Sequence, residues 1–525
     1  MENRRHKLLL LPSALFLSLL SCGGGGGDDD SSLLFFLLAS GNGACTAEPL
    51  FGDQWHLLNS GQSGGTSGED AGVTGAWDAG YTGSGVTIAI VDDGIDILHE
   101  DLRANINTSR NYNYVESSTD LAPHFLYATH GTSVAGVSAA DCNGKGVSGV
   151  APDATMVGYN LLLTNSDANN ADAMTRNGDI VAVSNNSWGA PDLLGTLNDS
   201  LSSSLWRTAI LDGINNQRNG KGIIYAWAAG NGQNSTTNRI DNSNYDGQAN
   251  FRGVMAICAV SNAGKQSSYS ERGANLWVCA PSNGGSLGIT TTDIRDNYGY
   301  TTSDYTDDFG GTSSASPLVA GVVALMLQAN PDLTWRDVRY ILARTARKVD
   351  PTDTDWINND AGIPVNHKYG FGVVDASAAV TMARTFTSIG GSSTLKSKAS
   401  NTDSPAAAIP DNDVNGISRT VTVSSSGITD IEWVDIEVTF VHTYAGDLNF
   451  VLTSPDGTTA HLSEKHVCTD GTNITATCPF NGTWRFGAAR FLDETADGTW
   501  TLKVTDGAAD DTGTLNSWSV TVYGR

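Results

Sequence analysis

Gly85-Val86-Thr87-Ile88-Ala89-Ile90-Val91-Asp92-Asp93-Gly94 is the stretch whose reading decides the fold. An apolar run rich in β-branched residues predicts a strand, and it ends on two carboxylates and a glycine. Further along, Gly222-Ile223-Ile224-Tyr225-Ala226-Trp227 reads the same way. Helix-like segments lie between such runs from Ala44 to about Arg384, which predicts an α/β unit with a largely parallel sheet over residues 44–384.

From 385 to 411 the composition shifts to Ser, Thr, Gly, Ala and Pro, the mark of a linker. Residues 412–525 carry short β-type runs broken by turn signals such as Pro455-Asp456-Gly457 and Asp506-Gly507, which predicts an all-β sandwich or jelly roll. Two globular units suit a chain of 525 residues. At the other end, Arg4, Arg5 and Lys7 precede an apolar run from Leu8 to Leu20 that is short for a membrane span, so residues 1–22 read as an export signal. Leu19-Leu20-Ser21-Cys22 looks like a bacterial lipobox, which would put a lipidated Cys22 at the mature N-terminus of a surface or outer-membrane lipoprotein; an ordinary cleaved signal is the alternative. Residues 23–43 form a Gly, Asp and Ser-rich tether.

Acidic residues outnumber basic ones 56 to 30, a formal charge of -26 that would repel nucleic acid. Solubility accounts for most of that charge, and some carboxylates are candidates for cations or basic side chains. Apart from Cys22 the cysteines are Cys45, Cys142, Cys258, Cys279, Cys468 and Cys478, an even number that favours disulfides in an exported protein. Six cysteines admit fifteen pairings, and sequence alone does not choose among them. Short spacing makes Cys468 with Cys478 the simplest local guess; Cys258 with Cys279 is a further guess.

Three segments carry the chemistry: Asp92-Asp93-Gly94, His130-Gly131-Thr132, and Gly311-Thr312-Ser313-Ser314-Ala315-Ser316-Pro317, which opens a small-residue-rich helical stretch. A serine hydroxyl is a weak nucleophile until a histidine accepts its proton, and that histidine needs a carboxylate to fix its tautomer. The order Asp, His, Ser is the one known for subtilisin. A helix N-terminus beneath Ser313 would add positive potential where negative charge develops. Asn231, in Trp227-Ala228-Ala229-Gly230-Asn231-Gly232, is the candidate to bind the oxyanion. Each motif alone has a duller reading as a turn or cap, and together they point to a serine endopeptidase.

The chain resembles the kexin and furin branch of the subtilisin-like proteases through Gln54-Trp55-His56-Leu57, Tyr245-Asp246-Gly247, Leu333-Thr334-Trp335-Arg336-Asp337 and His367-Lys368-Tyr369-Gly370-Phe371-Gly372. Gly446-Asp447-Leu448, Ser454-Pro455-Asp456-Gly457 and Gly498-Thr499-Trp500 resemble that family's P domain, a β jelly roll. The resemblance implies a subtilisin-like peptidase domain over 44–384 and a P domain over 412–525. It implies cleavage after Lys or Arg, with Ser187, Trp188, Gly189 and Asp192 in the wall of the P1 pocket, Asp246 at its floor and Asp93 toward P2. Tyr127 and Thr175 stand where two further family acids would be, which implies little demand at P4.

The resemblance also implies two Ca²⁺ sites. One would combine carbonyls of Asp141, Lys145 and Val147 with side chains of Asn143, Asp101 and Glu48; the other would use Asp192, Asp241 and Glu271. If Glu48 and the 141–147 loop share an ion, Cys45 and Cys142 lie close enough for a bridge. Residues 23–54 leave too little chain for the family's inhibitory prodomain, so a separate chaperone or inhibitor is expected as a partner. His461-Leu462-Ser463-Glu464-Lys465-His466 has metal-ligand residue types but not zinc-motif spacing, and reads as a surface loop. Two rival readings are a surface-displayed binding protein with an inactive protease fold, which the intact Asp92, His130, Asn231 and Ser313 weigh against, and a broad subtilase without basic preference.

Overall fold

The first apolar run does form a strand, and six such strands pair in parallel in one sheet. In chain order they are β1 (Thr87–Val91), β2 (Thr155–Tyr159), β3 (Val181–Asn186), β4 (Ile224–Ala228), β5 (Val254–Val260) and β6 (Leu276–Pro281). Across the sheet the order is β2-β1-β3-β4-β5-β6. The protein is described from a computed structural model covering residues 45–233, 240–471 and 473–525. The expected export signal, Cys22 and tether (1–43) lie outside the described residues.

Among the described residues, seven α-helices belong to this unit: α1 (Val73–Asp78), α2 (Thr129–Ala139), α3 (Asp167–Thr175), α4 (Ser204–Asn216), α5 (Thr312–Ala329), α6 (Trp335–Thr345) and α7 (Ala376–Ala383). Helix α5 is buried along almost its whole length because its Ala, Gly, Ser and Val side chains let it lie close to α2 and the sheet. From β1 the chain crosses to β2 on one side and later to β3 on the other. Ligands of α/β sheets bind at the carboxyl ends of strands where the order reverses in this way, and Asp92 follows β1 while Ser187 follows β3.

The C-terminal unit is a sandwich of two antiparallel sheets. One runs Lys396–Ala399, Gly513–Gly524, Ile431–His442, Phe480–Ala488, and the other Ile417–Val423, Gly498–Asp506, Leu448–Thr453, Thr459–Ser463. Alternate residues point inward, so Ile436 and Phe440 of the first sheet share a core with Phe450 and Trp500 of the second. Part of the stretch read as a linker belongs to this sandwich: Lys396–Ala399 and Ala407–Ile409 both pair with Gly513–Gly524. They are mostly exposed strands, and their polar composition resembles a linker for that reason.

Disulfides join Cys45 to Cys142, Cys258 to Cys279 and Cys468 to Cys478. The second links β5 to β6 at directly paired positions. The 461–466 segment is not a surface loop. His461 lies on a strand, and His466 is buried with Nε2 2.6 Å from the Gly195 carbonyl of the protease unit.

Candidate active site

Asp92 leaves the end of β1 fully buried, and its Oδ1 accepts the Asp93 N–H at 2.8 Å while facing His130 Nδ1 at 2.9 Å. His130 is the second residue of α2. The close approach of α2 to β1 needs Gly131: a Cβ there would stand 2.0 Å from the Gly94 carbonyl oxygen. Asp93 fixes the same junction, accepting the His130 N–H at 3.1 Å and the Gly131 N–H at 2.8 Å through its two carboxylate oxygens, in the manner of an N-terminal cap. Burial acts to lower the His130 pKa, but the charge and hydrogen bond of Asp92, with help from Asp93, outweigh it and the net shift is upward. Burial first, then the neighbouring Asp92 charge, pushes the Asp93 carboxyl above its ordinary range.

Ser313 is the second residue of α5. Pro317, four residues on, has no N–H, so the Ser313 carbonyl lacks the partner a regular helix would supply. Ser187 supplies it, its Oγ donating to Ser313 O at 3.0 Å, and Ser313 Oγ donates back to Ser187 O at 3.2 Å. His130 and Ser313 line one open cavity with Tyr300 and Phe309, and in this state the Ser313 hydroxyl is bonded to Ser187 and not to the imidazole. Catalytic hydrogen bonds are often unmade until substrate arrives.

Asn231 follows β4, and Thr312 orients it: Asn231 Oδ1 accepts the Thr312 N–H at 2.8 Å and the Thr312 hydroxyl at 3.0 Å. That leaves Nδ2 as the end free to serve an oxyanion; it now rests 3.4 Å from Asp192 Oδ2. The orienting role of Thr312 escaped the sequence reading, since its place beside Ser313 carries no hint of a bond to a residue of another loop.

A cavity of about 270 Å³ opens beside Ser313, walled by Ser187, Trp188, Gly189 and Asp192, with Asp246, Asp241 and Glu271 deeper in. Four carboxylates and no basic side chain line it among the described residues. Asp246 is held by the N–H groups of Ala190 at 3.1 Å and Gln248 at 2.6 Å, and Gly189 must lack a side chain because a Cβ would reach 2.6 Å from Asp246 Oδ2.

The residues expected around calcium fall into two places. In one, Glu48 Oε1 accepts the Gly144 N–H at 2.8 Å, while its Oε2 is buried with no hydrogen-bond partner. Asp101 takes the Asn143 amide at 3.2 Å and the Val147 N–H at 3.0 Å, and its own carbonyl accepts the Asp141 N–H at 2.8 Å. The Lys145 ammonium turns outward to Glu100 at 2.7 Å, leaving its carbonyl in the loop. In the other, Asp192, Asp241 and Glu271 line the acidic cavity, where burial first and then the charges of Asp241 and Asp192 push the Glu271 carboxyl far up. Among the described residues no three His, Cys, Asp or Glu side chains converge as a ready-made metal cluster. Calcium, which draws many of its oxygens from carbonyls and amides, does not need one.

Residues 83–372 match the Subtilase family and residues 431–522 the Proprotein convertase P-domain. Neuroendocrine convertase 2 of Rattus norvegicus is 35% identical over 499 residues, 91% of this chain and 74% of that protein. The human protein of the same name is 34% identical over the same shares. Among solved structures, the Aeromonas sobria serine protease, crystallised in complex with a chaperone, superimposes with a TM-score of 0.81 at 29% identity, covering 91% of this chain and 95% of its own. Matched across both of its units, the chain belongs to the subtilase family, in the kexin- and furin-like branch that carries a P domain, and is a serine endopeptidase.

Proposed function

We propose that this enzyme cleaves proteins on the carboxyl side of Lys or Arg through an acyl-enzyme, using Asp92, His130, Ser313 and Asn231. In this reading the Ser313 hydroxyl rotates to His130, and Nε2 takes its proton as Oγ attacks the scissile carbonyl. Asp92 steadies the imidazolium through Nδ1, and the Asn231 amide with the Ser313 N–H receives the oxyanion. The imidazolium gives its proton to the leaving amine; water then attacks the acyl carbon by the same route in reverse.

The observation that carries the basic preference is the acidic cavity beside Ser313, whose Asp246 is uncovered by Gly189. Asp246→Asn is expected to lower kcat/KM for Lys and Arg substrates by about 10²–10³-fold, the size of losing one desolvated charge pair. Cleavage profiling on a peptide library tests the reading; equal rates for basic and apolar P1 residues would sink it in favour of a broad subtilase. Asp93 supports some preference for a second basic residue at P2. Tyr127, with no charge to offer, stands exposed before α2, which fits a loose P4 site.

Calcium fits both acidic places. The buried, partnerless Glu48 Oε2 beside Asp101, Asn143 and the 141–147 carbonyls suits one ion, and the crowded Asp192, Asp241 and Glu271 suit another. A bound ion would neutralise these carboxylates and hold Asp192 and Asn231 in place. Thorough chelation is expected to lower both Tm and kcat/KM for basic substrates, with recovery on adding Ca²⁺ and not Mg²⁺; unchanged values would contradict it. The disulfides support export, and we place the enzyme at the cell surface or outside it, with Cys22 as a candidate lipid anchor that metabolic labelling with palmitate tests. The chaperone crystallised with the Aeromonas sobria enzyme supports a folding partner for this chain too. Full recovery of activity by the denatured chain refolding alone would remove that need.

A further inference from the structure

A cavity of about 20 Å³ lies where α6 meets the P domain, and its walls include Arg252, Arg336 and Arg339 but one carboxylate, Glu432. Arg336 occupies that carboxylate, its Nε donating to Glu432 Oε2 at 2.8 Å and its Nη2 to Oε1 at 2.5 Å. Arg339 is 5% exposed, and its guanidinium lies over Trp277 at 4.0 Å with Trp433 at 5.3 Å. Its Nη1 donates to the Arg252 carbonyl, but its Nε and Nη2 are buried with no acceptor among the described residues. Arg252 stands over the Tyr523 ring at 4.7 Å.

Aromatic rings can take the faces of a guanidinium; they do not accept the N–H bonds in its plane. The Nε–Nη2 fork of Arg339 is therefore a pair of buried charged donors, and donors of that kind are strongly destabilising when left unpaired. Three guanidiniums and one carboxylate, Glu432, line the cavity, and Asp435 behind the lining acts on Arg252 as well as on Arg485. Burial first, with Arg252 adding to it and Glu432 opposing, lowers the Arg339 pKa to about 9. A cavity of this size holds one small particle, about a single water's worth of space, and leaves no room for phosphate or sulfate.

We propose that this cavity binds one halide ion, chloride in practice, held by the Nε–Nη2 edge of Arg339 and the charge of Arg252, and that the ion fastens the P domain to the protease unit. Water would satisfy the two donors but add no negative charge to a lining of three guanidiniums and one carboxylate.

The test follows thermal unfolding of the intact enzyme at fixed calcium, sodium and ionic strength while gluconate is replaced by bromide or chloride. The wild type should show a saturable rise in Tm of about 2 °C. Arg339→Met, whose unbranched apolar chain can stay on Trp277, should not. Crystals of the wild type soaked in bromide should show an anomalous peak beside Arg339 Nε and Nη2. A wild-type Tm indifferent to the anion, an equal rise in the variant, or a lone water in the cavity would each overturn the proposal. If Arg339→Met does not fold, the wild-type titration and the bromide crystal decide between the same outcomes.

Discussion

Ser313 and Ser187 hold each other by two hydrogen bonds, one in each direction, and the arrangement depends on the proline at 317. Because the Ser313 carbonyl is anchored independently of its hydroxyl, the hydroxyl can swing about one side-chain bond toward His130 without moving the backbone N–H that the proposed mechanism assigns to the oxyanion. In the proposed mechanism Asp92 governs what happens next. His130 works as a base when neutral, so a pKa raised above its ordinary 6.5 makes kcat/KM of the free enzyme fall as the pH drops through that raised value. In Asp92→Asn the larger upward pull is gone and only the Asp93 charge opposes burial, so the inflection should move down in pH, and kcat near neutrality should drop by about 10⁴-fold as the tautomer is lost. A pH-rate profile of both proteins checks this; an inflection that stays put would mean Asp92 does not set the His130 pKa. The residues proposed to react were singled out in the sequence because few residue types can do this chemistry. The Ser187 hydroxyl and Thr312 were not, since their work is a hydrogen bond between loops 126 and 81 residues apart.

The strand β1 and helix α2 meet so closely that Gly94, Asp93 and Asp92 leave no room for a methyl group at Gly131. That junction sets the distance between Asp92 and His130, so it should tolerate change poorly. Gly131→Ala would drive a Cβ against a backbone oxygen that no rotamer change can move aside. We expect it to destabilise the protein by about 1–3 kcal/mol in urea unfolding and to reduce kcat with little change in KM. Unaltered stability and kcat would show that α2 can slide. Elements of this kind were readable where hydrophobic runs ended on chemically unusual residues, as at Asp92 and Ser313. They were unreadable where composition hid them: Lys396–Ala399 pairs with the last strand yet is as polar as a tether, and His466 is buried by a partner surface that its own segment does not reveal.

The two units are joined through side chains whose bonds cross the boundary, and one of them reports on pH. His367 of the protease unit faces Asp355 with Nδ1 at 2.9 Å, and its Nε2 accepts the backbone N–H of His461 from the P domain at 2.9 Å. A nitrogen that accepts an N–H carries no proton, so the geometry requires the neutral ring, protonated at Nδ1. Burial, aided by the Arg490 charge and opposed by Asp355, correspondingly lowers the His367 pKa to about 4. The unfolded chain takes up a proton near the ordinary value of about 6.5, while the folded one resists until about pH 4. The stability this residue contributes is therefore present above about pH 6.5 and lost as the pH falls from there toward 4, about 3 kcal/mol in all. Buried carboxylates with raised pKa values, such as Glu494 at the same boundary, act in the opposite sense, so the contribution must be read as a difference between two proteins. His367→Gln keeps an acceptor for the His461 N–H without a titrating ring. The gap in unfolding free energy between wild type and His367→Gln should shrink as the pH is lowered from 7 to 4.5. A gap that stays constant over that range would mean the ring is not held neutral at the boundary.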